Sequence, residues 1–136
     1  MGDGELAEGS VWEGAAAGGH YRLDNLCAFV DHNHLQISGN VDEVLSPGNI
    51  ALRFAASGWN VINVMNGNDI QQISDALDIA ERTKGKPTVI IAETLKGKAS
   101  PLIENKAGWH HKLPTQEEYE RISADIAAYK EALING

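Results

Sequence analysis

The chain has 136 residues, 43% of them hydrophobic, and a formal net charge of −8. That length suits one domain able to bury roughly two thirds of its unfolded surface, and no apolar run nears the roughly twenty residues of a membrane span. With no signal peptide and no basic cluster beyond Lys84-Gly85-Lys86 and Lys96-Gly97-Lys98, a soluble, non-membrane protein that does not bind nucleic acid is expected.

Gly2-Asp3-Gly4-Glu5 opens the chain. The two glycines let backbone turn sharply and approach a phosphate, and Leu6 to Arg22 reads as the following helix, whose amino end favours an anion. A plain strand-to-helix turn is the bland alternative. Leu26-Cys27-Ala28-Phe29-Val30 has the continuous apolar character of a strand buried on both faces. Cys27, the only cysteine, is expected to be a buried thiol with no catalytic role, and a single thiol fits a reducing cytoplasm. Asn33 follows Asp3 by thirty positions, at the far end of this run. Such spacing suits one βαβ unit that brings two oxygen ligands to the same edge of a parallel sheet. Magnesium prefers octahedral oxygen coordination shared among protein, phosphate and water; Asp3 can supply charge and Asn33 a neutral oxygen. His32 and His34 flank Asn33, but a His-x-His pair without nearby cysteines or a clear third ligand does little to indicate zinc. His20 reads as a packing residue.

A helix is predicted near Asn49 to Ser57 and a strand from Trp59 to Val64. Asp69 can cap a helix reaching Lys84, with Ile70, Ile73, Leu77 and Ala80 as its apolar stripe and Gly85 and Pro87 as its stop. Thr88 to Ala92 is a third strand. The irregular stretch from Leu95 to Pro114 exceeds ordinary connections and is therefore a functional or partner-contact candidate. Thr115, with Glu118, forms a capping box for a last helix of about 115–134. Its stripe of Tyr119, Ile122, Ile126, Tyr129 and Leu133 is core or interface. Alternating strands and helices imply a parallel sheet with ligands at the carboxyl ends of its strands, where Asp3, Asn33 and the Gly67 region should meet.

The run Gly2-Asp3-Gly4-Glu5-Leu6-Ala7-Glu8-Gly9-Ser10-Val11-Trp12-Glu13, then Asp31-His32-Asn33-His34-Leu35-Gln36, Gly58-Trp59-Asn60-Val61, Lys86-Pro87-Thr88-Val89-Ile90-Ile91-Ala92 and Gly108-Trp109-His110 resembles transketolases, above all the separately encoded N-terminal subunit of a split transketolase. The resemblance implies an α/β, three-layer sandwich with a mainly parallel sheet, the thiamine-diphosphate-binding fold. Residues 1–136 would form a single, partial domain missing its first strands, because the chain starts at the metal motif itself. It further implies thiamine diphosphate with Mg2+ (or Ca2+ or Mn2+). Asp3, Asn33 and the Leu35 carbonyl would be the metal ligands; Gly2, Asp3, Gly4, Glu5, Asn33 and His110 would line the cofactor. Glu8 and Glu13, five apart on the first helix and by default solvated, fall where the family places acids facing a dimer partner, and so are its candidate catalytic pair. Burial there would raise a carboxylate pKa.

Ketol transfer from a ketose phosphate to an aldose phosphate is the implied reaction of a complete homo- or hetero-oligomer. A C-terminal subunit would bring the pyrimidine-binding domain, and the isolated chain is expected to be inactive. His32, His34, His111 and Ala99 depart from the family pattern. Alternatives are a noncatalytic remnant or scaffold, and another thiamine-diphosphate enzyme such as a deoxyxylulose-phosphate synthase, which usually lacks an acid at the Glu8 position. A flavodoxin-like nucleotide binder would want a glycine-rich phosphate loop after an N-terminal strand, which this sequence does not offer.

Overall fold

A computed structural model describes residues 1–135. Three strands, β1 (Cys27–His32), β4 (Asn60–Val64) and β5 (Thr88–Glu93), form a parallel sheet in the order β1-β5-β4, with Val30 beside Ile91 and Ile62 beside Ile90. Helices α1 (Gly9–His20) and α3 (Ile50–Ala56) cover one face, and α4 (Ile70–Arg82) covers the other. The alternation of strand side chains sorts the core accordingly. Val30, Val89 and Ile91 join Leu6, Ala15, Phe54 and Trp59 on the first face, while Ile90, Ala92 and Val64 join Ala76 and Ala80 on the second. The three-layer, parallel α/β architecture is thus the one expected.

Only β5 is sheet interior, with Thr88 through Ala92 all buried. β1 and β4 are half-exposed, contrary to the expectation of three interior strands, because each has a full-length neighbour on one side only. The outer edge of β1 is nevertheless partly met. The Met1 amino group donates to the Phe29 carbonyl at 2.7 Å, Asp31 N–H donates to the Met1 carbonyl at 2.9 Å, and Gly2 bridges Asp31 in parallel. Residues 1–2 therefore run parallel to the end of β1 and deliver Asp3 beside it.

The predicted helix from Leu6 to Arg22 is two elements. Asp3–Ala7 winds as a 3-10 turn, Glu8 is extended, and α1 begins at Gly9. The Trp12 indole N–H donates to the Leu6 carbonyl at 2.8 Å and ties the two together. At the other end of α1, a Cβ on Gly19 would lie 1.7 Å from the Ser57 carbonyl oxygen, so glycine is what lets the turn after α3 pack there. Beside it the Trp59 indole N–H reaches the Ala15 carbonyl at 2.7 Å.

Asn49 caps α3 through Leu52 N–H and Asp69 caps α4 through Gln71 N–H, each at 2.9 Å. The buried stripe of α4 is Ala76 and Ala80 with Ile73 beside them; Ile70 and Leu77, included in the predicted stripe, are exposed. A small hairpin, β2 (Leu35–Gln36) with β3 (Gly39–Asn40), and a five-residue α2 (Val41–Leu45) were not expected from periodicity, being too short to have any. Within the long 95–114 segment, Ala107–Trp109 forms a 3-10 turn. α5 (Gln116–Asn135) carries the expected capping box, Glu118 N–H on Thr115 Oγ1 at 3.2 Å and Thr115 N–H on Glu118 Oε2 at 2.8 Å, but buries none of its residues. Among the described residues no helix is long and apolar enough to cross a membrane.

Candidate functional site

At the carboxyl end of β1 the chain makes a cleft of about 510 Å3, within the usual range for small-molecule sites. Gly2, Gly4 and Glu5 form one wall, Asn33, Leu35 and Gln36 another, and His110 and Lys96 close it. Asp3, between the lining residues Gly2 and Gly4, is itself buried, 1% exposed. Its Oδ1 accepts the Gly4 N–H at 2.8 Å and its Oδ2 the His34 N–H at 2.6 Å, which locks the 3-10 turn to the segment just past β1. The second of these bonds brings Asp3 against the segment that carries Asn33.

Burial pushes the Asp3 carboxyl above the ordinary aspartate range, and the His34 and Gly4 N–H bonds pull it only part of the way back. A buried carboxylate still short of counter-charge is a suitable anchor for a divalent cation. Asn33 is held in a defined orientation: Nδ2 donates to Asp31 Oδ1 at 3.1 Å, and Oδ1 accepts the Leu35 N–H at 2.9 Å. That amide oxygen keeps a second lone pair. Thr94 Oγ1 also donates to Asp31 Oδ1, bracing the strand ends from the β5 side.

A Cβ on Gly4 would sit 2.8 Å from Gln36 Cβ, so the turn and the β2 hairpin approach closely only because residue 4 has no side chain. Gly67, also at this edge, donates its N–H to the Glu93 carbonyl at 2.6 Å. His110 enters the cleft from the Ala107–Trp109 turn, its N–H on the Ala107 carbonyl at 2.9 Å. Six of the sequence-selected positions, Gly2, Gly4, Glu5, Asn33, Leu35 and His110, line one cavity, while Asp3 is buried between the lining residues Gly2 and Gly4. Glu8 and Glu13 lie outside it and are exposed on the surface of α1 and the turn before it.

Sequence reasoning missed Lys96 and Gln36 as lining residues. The basic Lys96-Gly97-Lys98 cluster was the available signal for the first; Gln36 depends on a hairpin too short to foresee. Cys27 is exposed, not buried as expected, since α4 leaves that corner of β1 uncovered. It borders a hollow of about 300 Å3 at the amino ends of the strands, opposite the end where parallel sheets bind ligands. Partial shielding pushes its thiol pKa up, which disfavours a reactive thiolate.

Fold and cleft together define a doubly wound α/β domain with a glycine-walled cleft at its strand ends. The family profile described as transketolase, thiamine diphosphate binding domain, matches residues 1–129. The chain belongs to this family. It is 43% identical over 133 residues to one of the subunits of an apulose-4-phosphate transketolase from Phocaeicola vulgatus, covering 98% of this chain and 47% of that protein. Identity to a 6-deoxy-6-sulfo-D-fructose transketolase subunit from a Clostridium species is 36% over 126 residues, 93% of this chain and 46% of the relative. Among solved structures, transketolase from Leishmania mexicana matches with TM-score 0.82 and 32% identity over 93% of this chain and 19% of that one. Transketolase from Pichia stipitis in complex with sedoheptulose 7-phosphate matches with TM-score 0.83 and 29% identity, covering 90% of this chain and 18% of that one. The chain thus spans about half the length of the subunit relatives it matches.

Proposed function

We propose that this chain is the diphosphate- and metal-holding part of a transketolase that moves a two-carbon ketol unit from a ketose phosphate to an aldose phosphate. The observation that carries the reading is the buried Asp3 carboxylate, bonded to His34 N–H one residue from Asn33, next to a cleft walled by Gly2, Gly4, Leu35 and His110. The residues fit the cofactor: a shielded acid, an oriented amide oxygen, a Cβ-free wall and a cationic side chain, Lys96, suit a cation-bound diphosphate.

Asp3, Asn33 and the Leu35 carbonyl would hold Mg2+ (or Ca2+ or Mn2+), an all-oxygen set of the kind magnesium takes with phosphate and water. Gly2, Gly4 and Glu5 would flank the diphosphate, and His110 would donate to it. Thiamine diphosphate, when bound, supplies the electron sink for breaking and forming the bond next to a ketose carbonyl. The chain's own part is to bind, orient and neutralise charge; Glu8 and Glu13 are proposed as partner-facing acids, since neither reaches the cleft. Two relatives are called transketolase subunits, which supports a partner chain carrying the pyrimidine-binding domain. The cytoplasm is the proposed setting.

The test is reconstitution. This chain mixed with such a partner, Mg2+ and thiamine diphosphate is expected to release aldose phosphate from a ketose phosphate donor, with neither chain active alone. A stable mixture that holds no thiamine diphosphate and turns over no ketose phosphate would leave the scaffold reading in its place.

A further inference from the structure

We propose that Asp3, His32 and His34 form a binding site for a borderline transition-metal cation, zinc by its ligand chemistry, which shares Asp3 with the all-oxygen site above but adds two imidazole nitrogens. One carboxylate oxygen of Asp3 and one ring nitrogen from each histidine lie within 4.8 Å of one another. Two imidazoles and a carboxylate match zinc or cobalt and are foreign to magnesium. The third ligand that the His-x-His pair lacked in sequence is therefore supplied by the fold, from thirty residues upstream.

The backbone makes this convergence. His32 ends β1 beside Glu93, the last residue of β5. His34 takes φ 62°, a left-handed conformation uncommon for a residue with a side chain, and its ring lies against that of His32 with centroids 4.0 Å apart. Glu93 completes the arrangement. Its Oε1 lies 2.6 Å from His32 Nδ1 and accepts that N–H, so the lone pair of Nε2 faces Asp3 Oδ2 at 4.0 Å. Its Oε2 lies 3.2 Å from His34 Nε2. A carboxylate behind a ligating histidine fixes ring and tautomer in metal sites. Tetrahedral zinc with bonds of about 2.0–2.1 Å sets ligand atoms roughly 3.4 Å apart. Rotation of the half-exposed His34 and a small shift of His32 close that difference, and water takes the fourth position.

Zinc held here engages the same carboxylate as the oxygen set, so the two cations should compete; this last consequence alone rests on the function proposed above. The test titrates the full chain with Zn2+ against a chromogenic chelator and with Co2+ by visible absorption. One equivalent is expected, with the Co2+ spectrum of a nitrogen- and oxygen-ligated tetrahedral ion. The double variant His32→Ala/His34→Ala should lose the equivalent. Glu93→Gln should weaken it roughly 10- to 100-fold, the usual cost of losing the group behind a ligand. His34→Gln, at an exposed position, keeps the test valid if the double variant misfolds by circular dichroism, and should weaken binding at least tenfold. Binding that survives in His34→Gln, or that disappears in His20→Gln/His111→Gln, overturns the proposal. Zinc binding without magnesium-dependent cofactor retention would uphold this site and remove the proposed function; the reverse would remove this site alone.

Discussion

Asp3→Ala in the reconstituted assembly is expected to abolish magnesium-dependent retention of thiamine diphosphate. Groups that merely support a ligand cost about 10–100-fold in metal affinity when lost, so loss of the charged ligand itself should exceed about 100-fold. The substitution also strips the acceptor from Gly4 N–H, within the 3-10 turn, and from His34 N–H, the bond that joins the turn to the segment after β1. Unsatisfied buried donors cost about 1–3 kcal/mol each, so part of the effect would be loosening of the cleft wall. Asp3→Asn separates the two contributions. It keeps an oxygen for one N–H but removes the charge, and should retain the fold while still losing most of the cofactor. Gel filtration followed by thiamine diphosphate quantification reads the outcome; unchanged retention in Asp3→Ala would take the residue out of the site.

Phe54→Ala is expected to destabilise the domain by about 3–5 kcal/mol in chemical denaturation. Phe54 is 1% exposed and stands between Trp12, at 5.1 Å between ring centroids, and Trp59, at 5.3 Å in an edge-on arrangement. Trp12 is also covered by the Arg53 guanidinium at 3.4 Å from its ring and holds the Leu6 carbonyl through its indole N–H. Removing the phenyl ring therefore opens a cavity under α3 and frees the tryptophan that pins the turn carrying Asp3. A loss of cofactor affinity should accompany the loss of stability even though residue 54 is remote from the cleft. A stability change under about 1 kcal/mol would mean that α3 is not integral to the core.

The elements with clear periodicity and caps were legible in the sequence: β5 with its unbroken apolar run, α4 after Asp69, α5 after Thr115. The approach of the Gly2-Asp3-Gly4 turn to the Asn33 segment was legible too, because parallel strands deliver their carboxyl ends to one edge, whereas Leu35 and His110 were pointed to only by the family resemblance. What escaped was local or combinatorial. Two-residue strands at Leu35–Gln36 and Gly39–Asn40 have no period to detect, and the 3-10 turn at Asp3–Ala7 looks like the first turn of an α-helix. Exposure of Cys27, Ile70 and Leu77 could not be read either, since an apolar residue in the right register says nothing about whether a neighbour covers it. The Glu93 contact to His32 needs β1 and β5 to be adjacent, a pairing between residues sixty-one apart.

The most direct measurement is a crystal structure of the assembled complex with Mg2+ and thiamine diphosphate. Magnesium should stand about 2.0–2.1 Å from an Asp3 carboxylate oxygen, the Asn33 side-chain oxygen and the Leu35 carbonyl, with diphosphate oxygens among its remaining ligands. A diphosphate bound with its cation held by other groups, Asp3 still engaged only with Gly4 and His34, would contradict the account.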